Sequence, residues 1–185
     1  MKTRIYILLG IIAIAFSSCN ISSTSNNTPE ILFVTNPFIN KTDTLSKYYT
    51  DESGVYRMDT IQVGDTVTFR MLFYGYSNNL SSFNLSQSDT SATKILLPAT
   101  ISLDSIFVSA GSDYTNGKFL FKSKISSLYF PFRYVAKKVT NDAKITFYLS
   151  SDATFSNTSG FGNNSTSFEL KTPIVLKKQS AVKHK

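Results

Sequence analysis

The sequence predicts an all-β fold: an antiparallel sandwich of roughly seven to ten short strands, with a closed barrel of the same strands as the alternative. Two observations lead there. From Glu30 onward apolar residues recur with a period of two, and short clusters of Asn, Asp and Gly separate the alternating runs. A third bears on what holds such a fold together. The chain has one cysteine, Cys19, so no disulfide can form within it, and burial and sheet hydrogen bonds must supply its stability.

The first 18 residues stand apart from this pattern. Lys2 and Arg4 precede an unbroken apolar run over 5–16, and Ser17 and Ser18 lead into Cys19. A basic start, a short apolar centre and small residues before a cleavage point describe a secretory signal peptide. The run is shorter than the roughly 20 residues that span a bilayer. Phe16-Ser17-Ser18-Cys19 resembles the lipobox of bacterial lipoproteins, with Phe16 where an aliphatic residue is usual. The resemblance implies that Cys19 is diacylated and becomes the new N-terminus, anchoring the chain in the outer membrane. Two or more acyl chains hold a protein stably where one does not. Residues 19–29 are Ser, Thr and Asn with little else, a composition that cannot bury enough surface to fold, and they read as a flexible tether. Surface-exported lipoproteins of the Bacteroidetes type carry an acidic run after the cysteine. Here no acid precedes Glu30, which leaves the periplasmic and surface faces both open.

Within 30–176, Val67, Phe69, Met71 and Phe73 alternate with Thr66, Thr68, Arg70 and Leu72. Leu128, Phe130, Phe132 and Tyr134 alternate with Tyr129, Pro131 and Arg133, and Ile145, Phe147 and Leu149 with Lys144, Thr146 and Tyr148. Shorter candidates are 31–35, 56–63, 82–86, 94–97, 105–109, 118–122 and 167–176. Asn78-Asn79, Asn116-Gly117, Asn141-Asp142 and the segment 160–164 read as turns, and 42–49 as a short turn. Pro131 places its strand at an edge or marks a bulge. Outward positions rich in Ser, Thr and Asn imply a polar, weakly charged surface. Residues 177–185 form a basic tail, read as disordered and solvated.

Gly64-Asp65-Thr66-Val67-Thr68-Phe69 and Phe147-Tyr148-Leu149-Ser150-Ser151-Asp152 resemble strand segments of bacterial immunoglobulin-like adhesion and cell-envelope modules. The resemblance covers 12 of 185 residues and implies an immunoglobulin-like sandwich, not a function.

The charge is concentrated in the tail. Without Lys2 and Arg4, 17 basic groups face 12 acids, and five of the lysines follow Glu169. Residues 20–117 hold 5 basic and 9 acidic groups, and 118–170 hold 7 and 3, so the body is neutral but polarised.

The chemical inventory is narrow. The one histidine is His184, so the body lacks the residues of a Ser-His-Asp triad, a Cys-His pair or a His/Cys zinc site. No phosphate-binding Gly loop occurs, and Asp113-Tyr114-Thr115-Asn116-Gly117 lacks the spaced acids of a calcium loop. A carboxylate pair drawn from Asp51, Glu52, Asp59, Asp104, Asp113, Asp142 and Asp152 is the remaining enzymatic route, and most of these sit in turns where capping is expected. Lysines interleaved with aromatics over 118–138 have the period of a half-buried strand, and export separates the protein from nucleic acid.

Four triplets, at Thr44, Thr60, Thr66 and Ser105, read acid, hydroxyl, aliphatic. They resemble the O-glycosylation site of exported Bacteroidetes-type proteins, and turn-to-strand grammar favours the same order. The sequence therefore points to a non-catalytic envelope lipoprotein without cofactor. Its partners would be the membrane, through the lipid, and a protein or glycan. The alternative is a barrel for an apolar ligand or oligosaccharide, with or without carboxylate-pair hydrolysis.

Overall fold

The computed structural model describes residues 26–40, 43–44, 49–50, 55–155 and 162–177, the side chains of 43–44 and 49–50 excepted. The leader, Cys19 and residues 178–185 lie outside the described residues. In chain order the elements are β1 (Glu30–Phe33), β2 (Phe38–Ile39), β3 (Asp43–Thr44), β4 (Tyr49–Thr50), β5 (Tyr56–Arg57), β6 (Ile61–Gln62), β7 (Thr66–Tyr74) and β8 (Leu80–Gln87). There follow β9 (Thr93–Leu96), α1 (Thr100–Ile106), β10 (Lys118–Leu120), β11 (Ser127–Ala136), β12 (Thr140–Ser151) and β13 (Ser165–Val175).

They form two sheets. In the first, β7 is flanked on one side by β11 and then β9, and on the other by β1 and β2 placed end to end, with β3 beyond β2. The second runs β10-β8-β12-β13, and β13 then pairs with β5 and β6, with β4 beyond β5. No ladder joins the two sheets among the described strands, so the arrangement is a sandwich and the barrel alternative is set aside. Lettering β1/β2, β7, β8, β9, β11, β12 and β13 as A to G gives sheets A-B-E-D and C-F-G. That is the strand order of a constant-type immunoglobulin sandwich. Helix α1 and β10 are inserted between D and E.

The expectation of an antiparallel fold holds for the long ladders and fails at one flank. β13 pairs in parallel with both β5 and β6, because the chain re-enters beside the last strand after crossing from the first sheet. The expected strand at 105–109 is also absent. Leu103, Ile106 and Phe107 have the spacing of a helical face as well as of a strand edge, and Leu103 is buried in the middle of the short α1. Asn141-Asp142 is not a turn between strands; it lies inside β12, where the register shifts between Thr140 and Ala143 as in a β-bulge. The stretch 56–63 divides into β5 and β6, with Met58 buried between them. Asn26 to Pro29, the end of the expected tether, lie against the body. Asn78 Nδ2 donates to Asn26 Oδ1 at 3.1 Å, and Asn163 N donates to Thr28 Oγ1 at 2.9 Å.

The inward rows predicted for β7, β11 and β12 are the core. Val67, Phe69, Met71 and Phe73 are fully buried, as are Ile145, Phe147 and Leu149. Phe69 stacks on Phe132 at 4.7 Å and 7°, and Phe73 meets Phe83 at 4.3 Å. Phe73 with Phe83, and Phe132 with Phe147 at 6.0 Å, join the two sheets through aromatic rings in a fold that has no disulfide. Gly117, in the turn before β10, has φ +66°, and a Cβ there would lie 1.9 Å from the Leu85 carbonyl oxygen. That closeness lets Leu85 N donate to Gly117 O at 2.8 Å and seats β10 on β8.

Candidate functional site

The two outer faces of the sandwich differ although both follow the same period. On the second sheet Ser82, Asn84, Ser86, Thr146 and Ser150 point outward, as the composition predicts, with Tyr148 and Leu120 as exposed apolar exceptions. Two lysines there are paired with acids: Lys144 with Glu169 at 3.0 Å, and Lys171 with Asp142.

The outer face of the first sheet is built differently. Direct cross-strand register sets Leu32, Leu72 and Tyr129 in one row across β1, β7 and β11, and Glu30, Tyr74 and Ser127 in the next. Opposed side chains in such rows lie about 5 Å apart. Leu32 is 42% exposed, Tyr74 38% and Tyr129 48%. Tyr76 adds a ring 4.4 Å from Tyr74, and its hydroxyl bonds to the Glu30 carboxylate, which holds the phenol above its usual range. Toward the other end Arg70 faces Pro131, and Phe38, Thr68, Arg133 and Leu96 form a further row. The Arg70 guanidinium sits over the Phe38 ring, 4.8 Å from its centroid.

A groove of about 360 Å³ opens beside this face, lined by Thr68, Leu96, Leu97, Pro98, Ala99, Pro131, Phe132 and Arg133. Its origin is local. Val34 N donates to Arg70 O at 2.9 Å, so the Arg70 backbone bonds toward β1, and Pro131 opposite it turns its nitrogen away from β7. That nitrogen has no hydrogen to offer β9. The register Arg133 to Leu96, continued by two residues, would set Pro98 against Pro131. Two prolines face to face end the ladder, and the chain turns off into α1, leaving the flank of β11 open. The expectation that Pro131 marks an edge strand or a bulge fails for β11 as a whole, which lies between β7 and β9 in an unbroken register; only its flank at Pro131, beyond the end of β9, is open.

The expected sites do not gather. Thr60 is exposed between β5 and β6, and Ser105 is exposed on α1, its Oγ donating to Ser102 O at 2.6 Å. Thr66 opens β7 half-buried, its N–H donating to Asn40 Oδ1 at 3.0 Å. Thr44 lies in β3, and its side chain, like Cys19, falls outside the described residues. Two of the triplet aspartates hold backbone or neighbours in place: Asp65 accepts from Gln62 N at 2.7 Å, and Asp104 from Tyr114 Oη at 2.8 Å and Ser109 Oγ at 2.9 Å.

The other acids are similarly engaged. Asp113 accepts from Asn116 N at 3.1 Å and from its Nδ2 at 2.6 Å, and Asp152 binds Asn79 through N at 2.7 Å and Nδ2 at 2.8 Å. Those bonds from Asn116 hold the Asp113 carboxyl below its usual range, as the Tyr114 hydroxyl does for Asp104 and the Lys171 ammonium for Asp142. Asp51 and Glu52 lie outside the described residues. No group of three metal-ligating side chains occurs among the described residues.

Two further openings lie at the seams between the sheets. One of about 460 Å³, between β1 and β13, is lined by Ile31, Phe33, Tyr56 and Phe168; the other, of about 240 Å³, by Leu85, Gln87, Ile95, Leu97, Tyr114 and Asn116.

No protein-family model matches the sequence, and no curated protein resembles it significantly. Among solved structures, the chain is similar to a family 123 glycoside hydrolase from Clostridium perfringens, described in work on glycolipid glycan hydrolysis. The identity is 11% and the TM-score 0.33, over 82% of this chain and 28% of that one. The chain thus spans well under half of that enzyme.

The sequence held the signal for the candidate face without its meaning. Arg70, Leu72, Tyr129, Pro131 and Arg133 were all legible as outward positions; that they adjoin needed the register.

Proposed function

We propose that this protein is a non-catalytic binding module of the bacterial cell envelope, lipid-anchored through Cys19, which engages a glycan with the outer face of its first sheet. The observation that supports the reading best is the cluster of exposed Tyr74, Tyr129 and Leu32 around half-buried Leu72, in two adjacent rows on one sheet face beside the proline-opened groove. Tyrosine offers a sugar both an apolar ring face and a hydroxyl, and it loses little conformational freedom when it binds. The non-catalytic part is supported by the acids: Asp104, Asp113, Asp142 and Asp152 each have a structural partner, and they belong to α1, the turn before β10, the bulge of β12 and the residue after that strand.

Two results test the reading. Full-length protein should be retarded in native gels containing an envelope or extracellular polysaccharide. Combining Tyr74→Ala with Tyr129→Ala should weaken that retention at least tenfold without lowering the melting temperature appreciably, since both rings are substantially exposed. Retention unchanged in the double variant would move the site elsewhere. For the anchor, Cys19→Ala should shift the protein from the membrane to the soluble fraction of the expressing bacterium, and persistence in the membrane would refute lipid attachment at that residue.

A further inference from the structure

We propose that the ligand of the first-sheet face is an acidic polysaccharide, and that Arg70, Arg133 and Lys94 are the residues that bind its carboxylates. This deepens the reading above and rests on it. The three cations are far apart in sequence, and the register draws them into a line. Arg70 on β7 stands opposite Pro131; Arg133 is two residues further along β11; Lys94 on β9 is two residues beyond Leu96, the partner of Arg133. Each step is therefore a diagonal neighbour on one face, about 7–8 Å. All three side chains are exposed, and none forms an ion pair with a described residue.

That pattern contrasts with the second sheet, where Lys144 and Lys171 are each answered by an acid. Like charges on adjacent strands disfavour one another, and an anion laid along the line removes the repulsion. Arg70 is also pre-positioned. With its guanidinium carbon over the Phe38 ring and no ion pair to a described residue, its N–H groups can take a carboxylate in a bidentate pair. Tyr129 and Pro131 lie alongside, giving the apolar faces of a sugar ring a surface between the charged contacts.

An anionic bilayer would offer the same charge. Binding at a bilayer, however, is built on apolar side chains that reach about 5–10 Å into the headgroup region, whereas the three cations here stand in a line on paired strands, opposite Pro131, Thr68, Leu96 and Val135. The chemistry and the shape together favour an extended, carboxylated chain.

The probe is polygalacturonate, a uronic-acid homopolymer, with dextran as the neutral control and phosphatidylglycerol vesicles as the lipid control. Full-length protein should be retained by polygalacturonate and much less by dextran, with retention falling as salt is raised. Arg70→Gln combined with Arg133→Gln should weaken retention at least tenfold, and Lys94→Gln should weaken it further. Lys183→Gln with Lys185→Gln removes the same two charges from the tail and should leave retention nearly unchanged. Equal losses in the two double variants would mean non-specific attraction and overturn the proposal. Equal retention by dextran, still dependent on Tyr129, would also overturn it while leaving the glycan-binding function intact. Retention by none of the polysaccharides would overturn both, and vesicle binding lost in the arginine variant, without polygalacturonate binding, would replace the glycan by a membrane.

Discussion

Phe132→Ala is expected to cost about 3–5 kcal/mol of stability, enough to leave much of the protein unfolded at ordinary temperature. Phe132 is 2% exposed, stacks on Phe69, meets Phe147 from the opposite sheet at 6.0 Å and floors the groove beside β11. Its removal deletes contacts on both sheets at once. The void cannot close easily, because Phe69 and Phe147 are held by their own ladders. Urea denaturation of the two proteins would measure the difference. Phe132→Leu, which keeps most of the volume, should cost distinctly less, and equal costs would show that ring stacking, and not volume, dominates there. With no disulfide available, the fold has nothing else to compensate for such a loss.

The fold was legible in the sequence wherever a strand is buried on one face only. β7, β11 and β12 announced themselves by strict alternation, and their inward residues are those the pattern named. The misreadings have a common origin in short segments, where two periods fit the same residues. Leu103, Ile106 and Phe107 satisfy a helical turn as well as a strand, and the choice is made by Pro98, which ends β9 before them. Asn141-Asp142 has turn chemistry, but a bulge uses the same residue types, and the long ladder from Ala143 to Ser150 with β13 absorbs the extra residue. The parallel pairing of β13 with β5 and β6 could not be read locally, since it joins residues more than 100 positions apart.

The candidate site was legible residue by residue and invisible as a site. Leu72, Tyr129, Arg70 and Arg133 belong to the outward half of two alternating runs, and a composition rich in Ser and Thr suggested that such positions would be uniformly polar. That expectation describes most of the second sheet, Tyr148 and Leu120 excepted. On the first it fails because a face is made by register, and Leu32, Leu72 and Tyr129 meet only after β1 and β11 have aligned on either side of β7. Pro131 gave the clearest local sign: a proline inside a good strand marks where a neighbour must stop, and the groove lies where β9 does.

Tyr134→Phe is expected to leave the protein as stable as before, or slightly more so, at neutral pH and to flatten its loss of stability in alkali. The Tyr134 ring is fully buried on β11, edge-on to Phe69 at 6.4 Å, and its hydroxyl makes no hydrogen bond. Thr93 and Thr172 lie near enough to favour the phenolate a little, but burial dominates and pushes the group up to about 12. The sign follows from proton linkage. Below pH 10 the phenol is protonated in both folded and unfolded chains and contributes no pH dependence. Between pH 10 and about 12 the unfolded chain loses the proton while the folded one keeps it, so stability falls, by about 2–3 kcal/mol across that window. The phenylalanine variant has no proton to lose at this position, and the difference between the two proteins should therefore grow from pH 10 upward. Urea midpoints measured from pH 7 to 11.5 would show it, and parallel curves for the two proteins would mean that the hydroxyl reaches water. The same substitution separates two roles for that hydroxyl: an orphaned group costs stability while it is present, and a hidden partner would be revealed by a loss at pH 7.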